Sequence, residues 1–252
     1  MGKRKAVITG ELKTVTTEFF EKLLASSVAA HGHLCAGQVV GVRMALLGLR
    51  LLNFEAPPTL PQLKRLLVYV EMDRCTGDAV AHTTGVRLGR RSLKFVDYGI
   101  MAATFVNLGT DRAFRIISTE ESRDLAALYA PGEMARRQQQ TTAYKVMPDS
   151  VMFRVQQVRV ELSPFDMPGP TRRKATCMKC GQVVRDNREV RQNGFISCRP
   201  CAAGAYFTGA REIAWPEMNW SPYANPDPSK LTDSDSTGRR LRPEEIAGKR
   251  DD

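Results

Sequence analysis

The chain has 252 residues, 42% of them hydrophobic and 25% charged, a balance suited to one full globular core with a small satellite domain. No apolar run approaches the roughly 20 residues of a membrane span, and MGKRKAVITGELKTV at the N-terminus lacks the apolar stretch of a secretory signal, so a cytoplasmic protein without membrane contact is expected. Lys and Arg exceed Asp and Glu by 37 to 27, a net +10 that suits an acidic partner such as nucleic acid, a phosphorylated ligand or an acidic protein surface, or serves solubility alone.

In chain order, Thr16 and the apolar spacing Phe19, Phe20, Leu23, Leu24 and Val28 predict an amphipathic helix over residues 16–29 that runs into His31-Gly32-His33. A second, more apolar helix is expected from Ala36 to Leu52, with Gly37, Gly41 and Gly48 along it for close packing. Leu66–Met72 reads as a buried strand, followed by a short helix capped by Thr76 and ended by Gly85. Further strands are expected at Leu93–Val96, Met101–Val106 and Ala113–Ile117, and a largely helical stretch from Leu125 to Lys145 despite Pro131-Gly132. A long strand at Val151–Leu162 changes phase around Gln156-Gln157, which a bulge would explain.

The proline-rich Ser163–Arg173 marks a boundary, dividing the chain into an α+β domain at 1–162, a linker at 163–174, a four-cysteine ribbon at 175–212 and a tail at 213–252. From Ser221 onward the sequence is polar and without apolar periodicity, as in a disordered or partner-dependent segment.

All six cysteines fall into two groups, the pair Cys35 and Cys75 and the quartet Cys177, Cys180, Cys198 and Cys201. The quartet spacing, C-x2-C-x17-C-x2-C, puts two thiolates on each of two tight turns, the pattern of a structural zinc site; a redox dithiol or an iron–sulfur cluster would use similar spacing. Gln182–Arg185 and Phe195–Ser197 are expected to be the strands that bring the two turns together, with Asn193-Gly194 as a hairpin turn. Four thiolates leave no open coordination position, so the ribbon points to folding and docking rather than catalysis. Arg172, Arg173, Lys174, Lys179, Arg185, Arg188, Arg191 and Arg199 make it basic enough to touch nucleic acid, or to dock on protein.

At the other end, His31, His33 and Cys35 alternate at the junction of two predicted helices, where an extended backbone would send all three to one side. A helix N-terminus favours the Cys35 thiolate, giving either a soft N/S metal site or an activated nucleophile; a buried cysteine with two capping histidines is the plainer alternative. Glu71-Met72-Asp73-Arg74-Cys75-Thr76-Gly77-Asp78 adds a second cysteine among three carboxylates, which suits a shared cleft. His82 reads as a helix-surface histidine.

The segments HGHLCAGQVVGVRM (His31–Met44), VEMDRCTGDAV (Val70–Val80), TTGVRLGRRSLKFVDYG (Thr83–Gly99) and ATFV (Ala103–Val106), followed by the four-cysteine ribbon, resemble the formylmethanofuran dehydrogenase FmdE family over most of residues 16–205. The resemblance implies a dimerising α+β domain with a mixed sheet packed by helices, and a zinc finger that some members carry. It also implies a metal-binding cleft at His31, His33, Cys35 and Cys75 with Asp78 nearby. Members usually have Pro where Ala36 stands and Lys where Ile100 follows Asp97-Tyr98-Gly99; if that lysine anchors a ligand or tunes the metal, Ile100 alters the activity, with Arg90, Arg91 or Lys94 as substitutes.

The expected function is therefore a homodimeric metal-binding accessory subunit, or a metal or cofactor handler, beside a molybdenum or tungsten oxidoreductase, with zinc in the ribbon and a second transition metal in the cleft. Two rivals are a nucleic-acid-binding regulator acting through the basic ribbon, and a stand-alone enzyme using Cys35, Cys75 or a metal-bound water with Asp73 or Asp78 as base. No G-x-G-x-x-G or Walker pattern points to a nucleotide cofactor.

Overall fold

The computed structural model describes residues 16–132 and 135–211; the tail expectation lies outside them. Thr16 is extended and accepts a hydrogen bond from the Phe19 N–H at 3.3 Å, starting α1 (Thr17–His31), which ends at left-handed Gly32. Extended Cys35 then opens α2 (Ala36–Leu51), a helix buried on most sides. One turn, α3 (Leu60–Leu63), leads into β1 (Leu66–Val70), α4 (Cys75–Thr84), β2 (Leu93–Phe95), β3 (Ala102–Asn107) and β4 (Arg112–Ser118). Four helices, α5 (Glu121–Asp124), α6 (Ala126–Tyr129), α7 (Arg136–Val146) and α8 (Asp149–Met152), precede β5 (Phe153–Val158).

The five strands form one mixed sheet in the order β2-β1-β3-β4-β5, with β1 and β2 parallel and the other pairs antiparallel. A parallel pair needs a crossover, and α4 lies in it. Period-two alternation sorts the side chains: Val68, Ala103, Phe105 and Ile116 join the main core with the helices, while Leu67, Val106 and Ala113 form a smaller core on the other face, under Val160 and Leu162. This is the α+β architecture expected from the sequence.

Helices α2 and α4 approach until a Cβ at Gly41 would stand 2.5 Å from the Ala79 Cβ and 2.7 Å from the Thr76 carbonyl. Neither neighbour is the free end of a flexible side chain, so Gly41→Val is expected to force the helices apart and to cost roughly 1–3 kcal/mol. A fall in the urea midpoint at unchanged m-value checks it.

Several local expectations change. Thr76 does not cap α4, because the helix already includes Cys75 and the residue before it, Arg74, is the extended one; the Thr76 hydroxyl instead donates to the Gly37 carbonyl at 3.2 Å. The strand expected at Val151–Leu162 is shorter, its first two residues belonging to α8. It carries no bulge, since β4 and β5 pair without interruption from Ala113↔Val158 to Ser118↔Phe153. Within it Phe153 and Val155 face the main core, whereas Val158, still paired, and then Val160 and Leu162 pack on the other face, which accounts for the change of phase.

In the ribbon, β6 (Lys174–Thr176) pairs with β7 (Val183–Arg185), and β8 (Val190–Gln192) with β9 (Phe195–Ser197), before α9 (Arg199–Ala203). The two strands expected to join the knuckles thus belong to separate hairpins. Asn193 at φ 50° and Gly194 at φ 80° make the predicted turn between β8 and β9, both in the left-handed region that a primed two-residue hairpin requires. Arg91 donates to the buried Asp186 carboxylate at 2.8 Å and to the Phe165 carbonyl, and Arg188 reaches Asp166 at 2.9 Å, tying the ribbon to the core and to the segment between them. The Arg172 backbone N–H and then the Arg91 charge hold the Asp186 carboxyl below its ordinary range. One compact unit ends at Ala202 and a second begins at Ala203, in which the Tyr206 and Phe207 rings meet edge to face at 5.1 Å.

Candidate functional site

Among the described residues, two groups of side chains have ligand atoms within 4.8 Å of one another: Cys177, Cys180, Cys198 and Cys201, and His31, Cys35 and Cys75. In the first, the Cys180 and Cys198 sulfurs are 3.7 Å apart, close to the roughly 3.8 Å edge of a tetrahedron with metal–sulfur bonds of about 2.3 Å. Backbone N–H groups, that of Cys198 foremost, hold the Cys177 thiol down at about 6, whereas the surrounding sulfurs, Cys198 first, push Cys201 up to about 12. A sulfur that its neighbours keep protonated is one that a cation would relieve. The four cysteines can hold a metal ion.

The second group is assembled by three helix ends. Its geometry follows from the α2–α4 contact, where a Cβ at Gly37 would stand 3.0 Å from the Cys75 Cβ; small residues let the two helix starts meet and bring Cys35, the residue before α2, against Cys75, the first of α4. Buried Gln38 fastens the junction, accepting from the Ser27 hydroxyl at 2.6 Å and donating to the Cys75 carbonyl at 2.8 Å. His82 Nε2 lies 2.9 Å from the Ser26 hydroxyl and joins α4 to α1. Burial, followed by a hydrogen bond with Cys35, raises the Cys75 thiol above its ordinary value.

His31 completes the trio from the end of α1. Its Nδ1 is 3.0 Å from an Asp78 carboxylate oxygen, which can only accept, so the imidazole proton sits on Nδ1. The opposite nitrogen, Nε2, is buried and has no hydrogen-bond partner. An imidazole fixed by a carboxylate on one nitrogen, with a bare lone pair on the other, is the usual preparation of a metal-binding histidine. Two thiols and one imidazole supply three ligands and leave a fourth position open.

His33 lies outside the trio, because α1 runs through His31 and Gly32 turns left-handed, replacing the extended segment that would have aligned both histidines; its exposed ring rests against His31 at 4.8 Å. Asp73 and Arg74 face solvent, and Glu71 is buried against Arg115. Ile100 is exposed and its N–H donates to the Glu71 carbonyl. Sequence reasoning passed over Gln38 and Ser27, though a glutamine among the apolar residues of α2 was a visible signal. A cavity of about 190 Å³ lined by Phe20, Arg43, Arg50 and Asp149, and one of about 50 Å³ lined by Ala36, Gly37, Met101 and Tyr144, do not include the trio.

The family described as FmdE, molybdenum formylmethanofuran dehydrogenase operon, matches residues 30–161, which take in His31, Cys35, Cys75 and Asp78. The chain belongs to the FmdE family. It is similar to a probable S-adenosyl-L-methionine-binding protein of Archaeoglobus fulgidus, 27% identical over 211 residues, covering 76% of this chain and 56% of that relative. The chain thus spans little more than half the length of that curated relative. Among solved structures it is similar to a tungsten formylmethanofuran dehydrogenase FmdE-like protein from Syntrophus aciditrophicus, with a TM-score of 0.49 and 18% identity over 75% of this chain and 94% of that one. The FmdE match ends before the four-cysteine ribbon begins. No helix among the described residues is long and apolar enough to cross a membrane.

Proposed function

We propose that this FmdE-family chain is a homodimeric metal-handling protein. In this reading His31, Cys35 and Cys75 hold a transition metal, zinc fills the ribbon, and the whole serves as an accessory subunit or metal and cofactor handler for a molybdenum or tungsten oxidoreductase of the formylmethanofuran dehydrogenase type. The observation that carries the cleft is the buried, unpartnered Nε2 of a histidine whose other nitrogen is already committed to Asp78. A soft donor set with one position left open suits taking up and passing on a metal, or presenting it as a Lewis acid to a ligand. The residues' own work is to orient: Asp78 sets the tautomer, Gln38 and Thr76 hold the two helix starts together, and half-buried thiols keep the site reachable.

Cobalt(II) titration tests the cleft, because thiolate-to-cobalt absorption reports each site. His31→Ala is expected to abolish the cleft band and keep the ribbon band, and Asp78→Asn to weaken cleft affinity about 10–100-fold. Unchanged titrations in both variants would remove the cleft as a metal site. The oxidoreductase link is tested by adding loaded protein to metal-depleted enzyme of that type, where activity is expected to rise; no rise would remove the accessory role.

Nucleic-acid binding is the weaker reading. Arg173 and Arg191 share Glu189, and Arg188 pairs with Asp166, so two carboxylates of the same chain offset part of the charge of three of the ribbon's basic groups.

A further inference from the structure

The sulfur atoms of Cys35 and Cys75 lie within 4.8 Å of one another, 40 positions apart in sequence and on the starts of two different helices. Both residues are partly exposed. The frame that holds them is stiff, because the Thr76 hydroxyl bonds the Gly37 carbonyl, the Gln38 amide bonds the Cys75 carbonyl, and Gly37 leaves no room between the helix ends. A disulfide needs sulfurs about 2.05 Å apart on Cβ atoms roughly 3.5–4.5 Å apart, and the two sulfurs already lie within 4.8 Å of one another. The ribbon cysteines differ, since Cys177 and Cys198 are buried and all four converge on one point.

We propose that Cys35 and Cys75 form a reversible dithiol–disulfide site that a hydroperoxide closes. One sulfur takes the terminal oxygen of the peroxide as the O–O bond breaks, giving a sulfenic acid and an alcohol, or water where the oxidant is hydrogen peroxide. The second thiol attacks that sulfur, the S–S bond forms, the S–O bond breaks and water leaves. The two thiols lose two electrons and two protons, all of which the peroxide takes up. Because the same two sulfurs are the soft ligands of the trio, the closed form cannot hold a metal there. That consequence rests on the function proposed above, whereas the disulfide does not.

The test is stoichiometric hydrogen peroxide on the reduced full-length chain, followed by blocking of free thiols and peptide mapping. His31→Ala is treated in parallel, since it keeps both sulfurs and removes the nitrogen that would help a resident metal shield them. The expected result in both proteins is a peptide joining Cys35 to Cys75, reversed by dithiothreitol, with the ribbon cysteines unlinked; in the wild type, cleft cobalt uptake is lost in the oxidised form and regained on reduction. Free Cys35 and Cys75 in both proteins, oxidation past the sulfenic acid without a bond, or linkage to ribbon cysteines would overturn the proposal. A disulfide in a wild-type chain that binds no cleft metal would uphold the redox site and defeat the metal reading. Cleft metal without any disulfide would do the reverse.

Discussion

Chelating the metal from the four-cysteine ribbon is expected to unfold residues 174–203 and leave the sheet and its helices intact. The reason is the lack of any other core. The ribbon's strands are three residues each, and Val183 and Phe195 are about half exposed, so little apolar burial offsets the entropy of ordering the chain. Metal–thiolate binding in small ribbons contributes on the order of 10–16 kcal/mol at neutral pH, far more than four short strands can. Hydrogen exchange reads this directly. The Gly181 N–H, bonded to the Cys177 carbonyl at 2.9 Å, and the Cys177 N–H, bonded to Gln182, are expected to lose protection, while amides of β3 and β4 keep theirs. Cys177→Ser is expected to behave as the chelated protein does. Protection unchanged after metal removal would mean that packing on the core, through Arg91 and Asp186, holds the ribbon by itself.

Arg115→Met is expected to be the most damaging single change in the sheet, at roughly 3–5 kcal/mol. Glu71 leaves the end of β1 with its side chain 5% exposed, and both its oxygens are taken by Arg115, at 2.7 and 2.6 Å. Removing the guanidinium strands a buried carboxylate, whereas the exposed Asp73–Arg74 pair at 3.9 Å contributes close to nothing. The double change Glu71→Leu/Arg115→Met is expected to recover most of the loss, because a well-packed apolar pair can replace a buried ion pair at little cost. Chemical denaturation of the two variants checks it, and a single variant within about 0.5 kcal/mol of the parent would show that water reaches Glu71.

Local chemistry was legible in the sequence and long-range pairing was not. Thr16, the α2 glycines and Asn193-Gly194 announced a cap, a close helix crossing and a primed turn, because each depends on a few neighbouring residues. Which strand joins which depends on contacts far along the chain, so two of the ribbon's four strands could be found but their partners, β6 and β8, could not: β7 pairs back onto β6, not β9. The same holds at the cleft. Four residues named from spacing and resemblance, His31, Cys35, Cys75 and Asp78, meet there, yet His33 departs because a single left-handed residue, Gly32, ends α1 one step after His31. Alternation in H-x-H-x-C suggested an extended segment, and helix termination overrode it.

The central claim is that the chain carries two separate metal sites, one closed and one open. Elemental analysis of anaerobically purified protein, wild type beside a Cys35→Ser/Cys75→Ser double variant, tests it most directly. Two metal ions per chain in the wild type, falling to one in the variant, is the expected result; one ion in both would contradict it, leaving the ribbon as the metal site and His31, Cys35 and Cys75 as a thiol site alone.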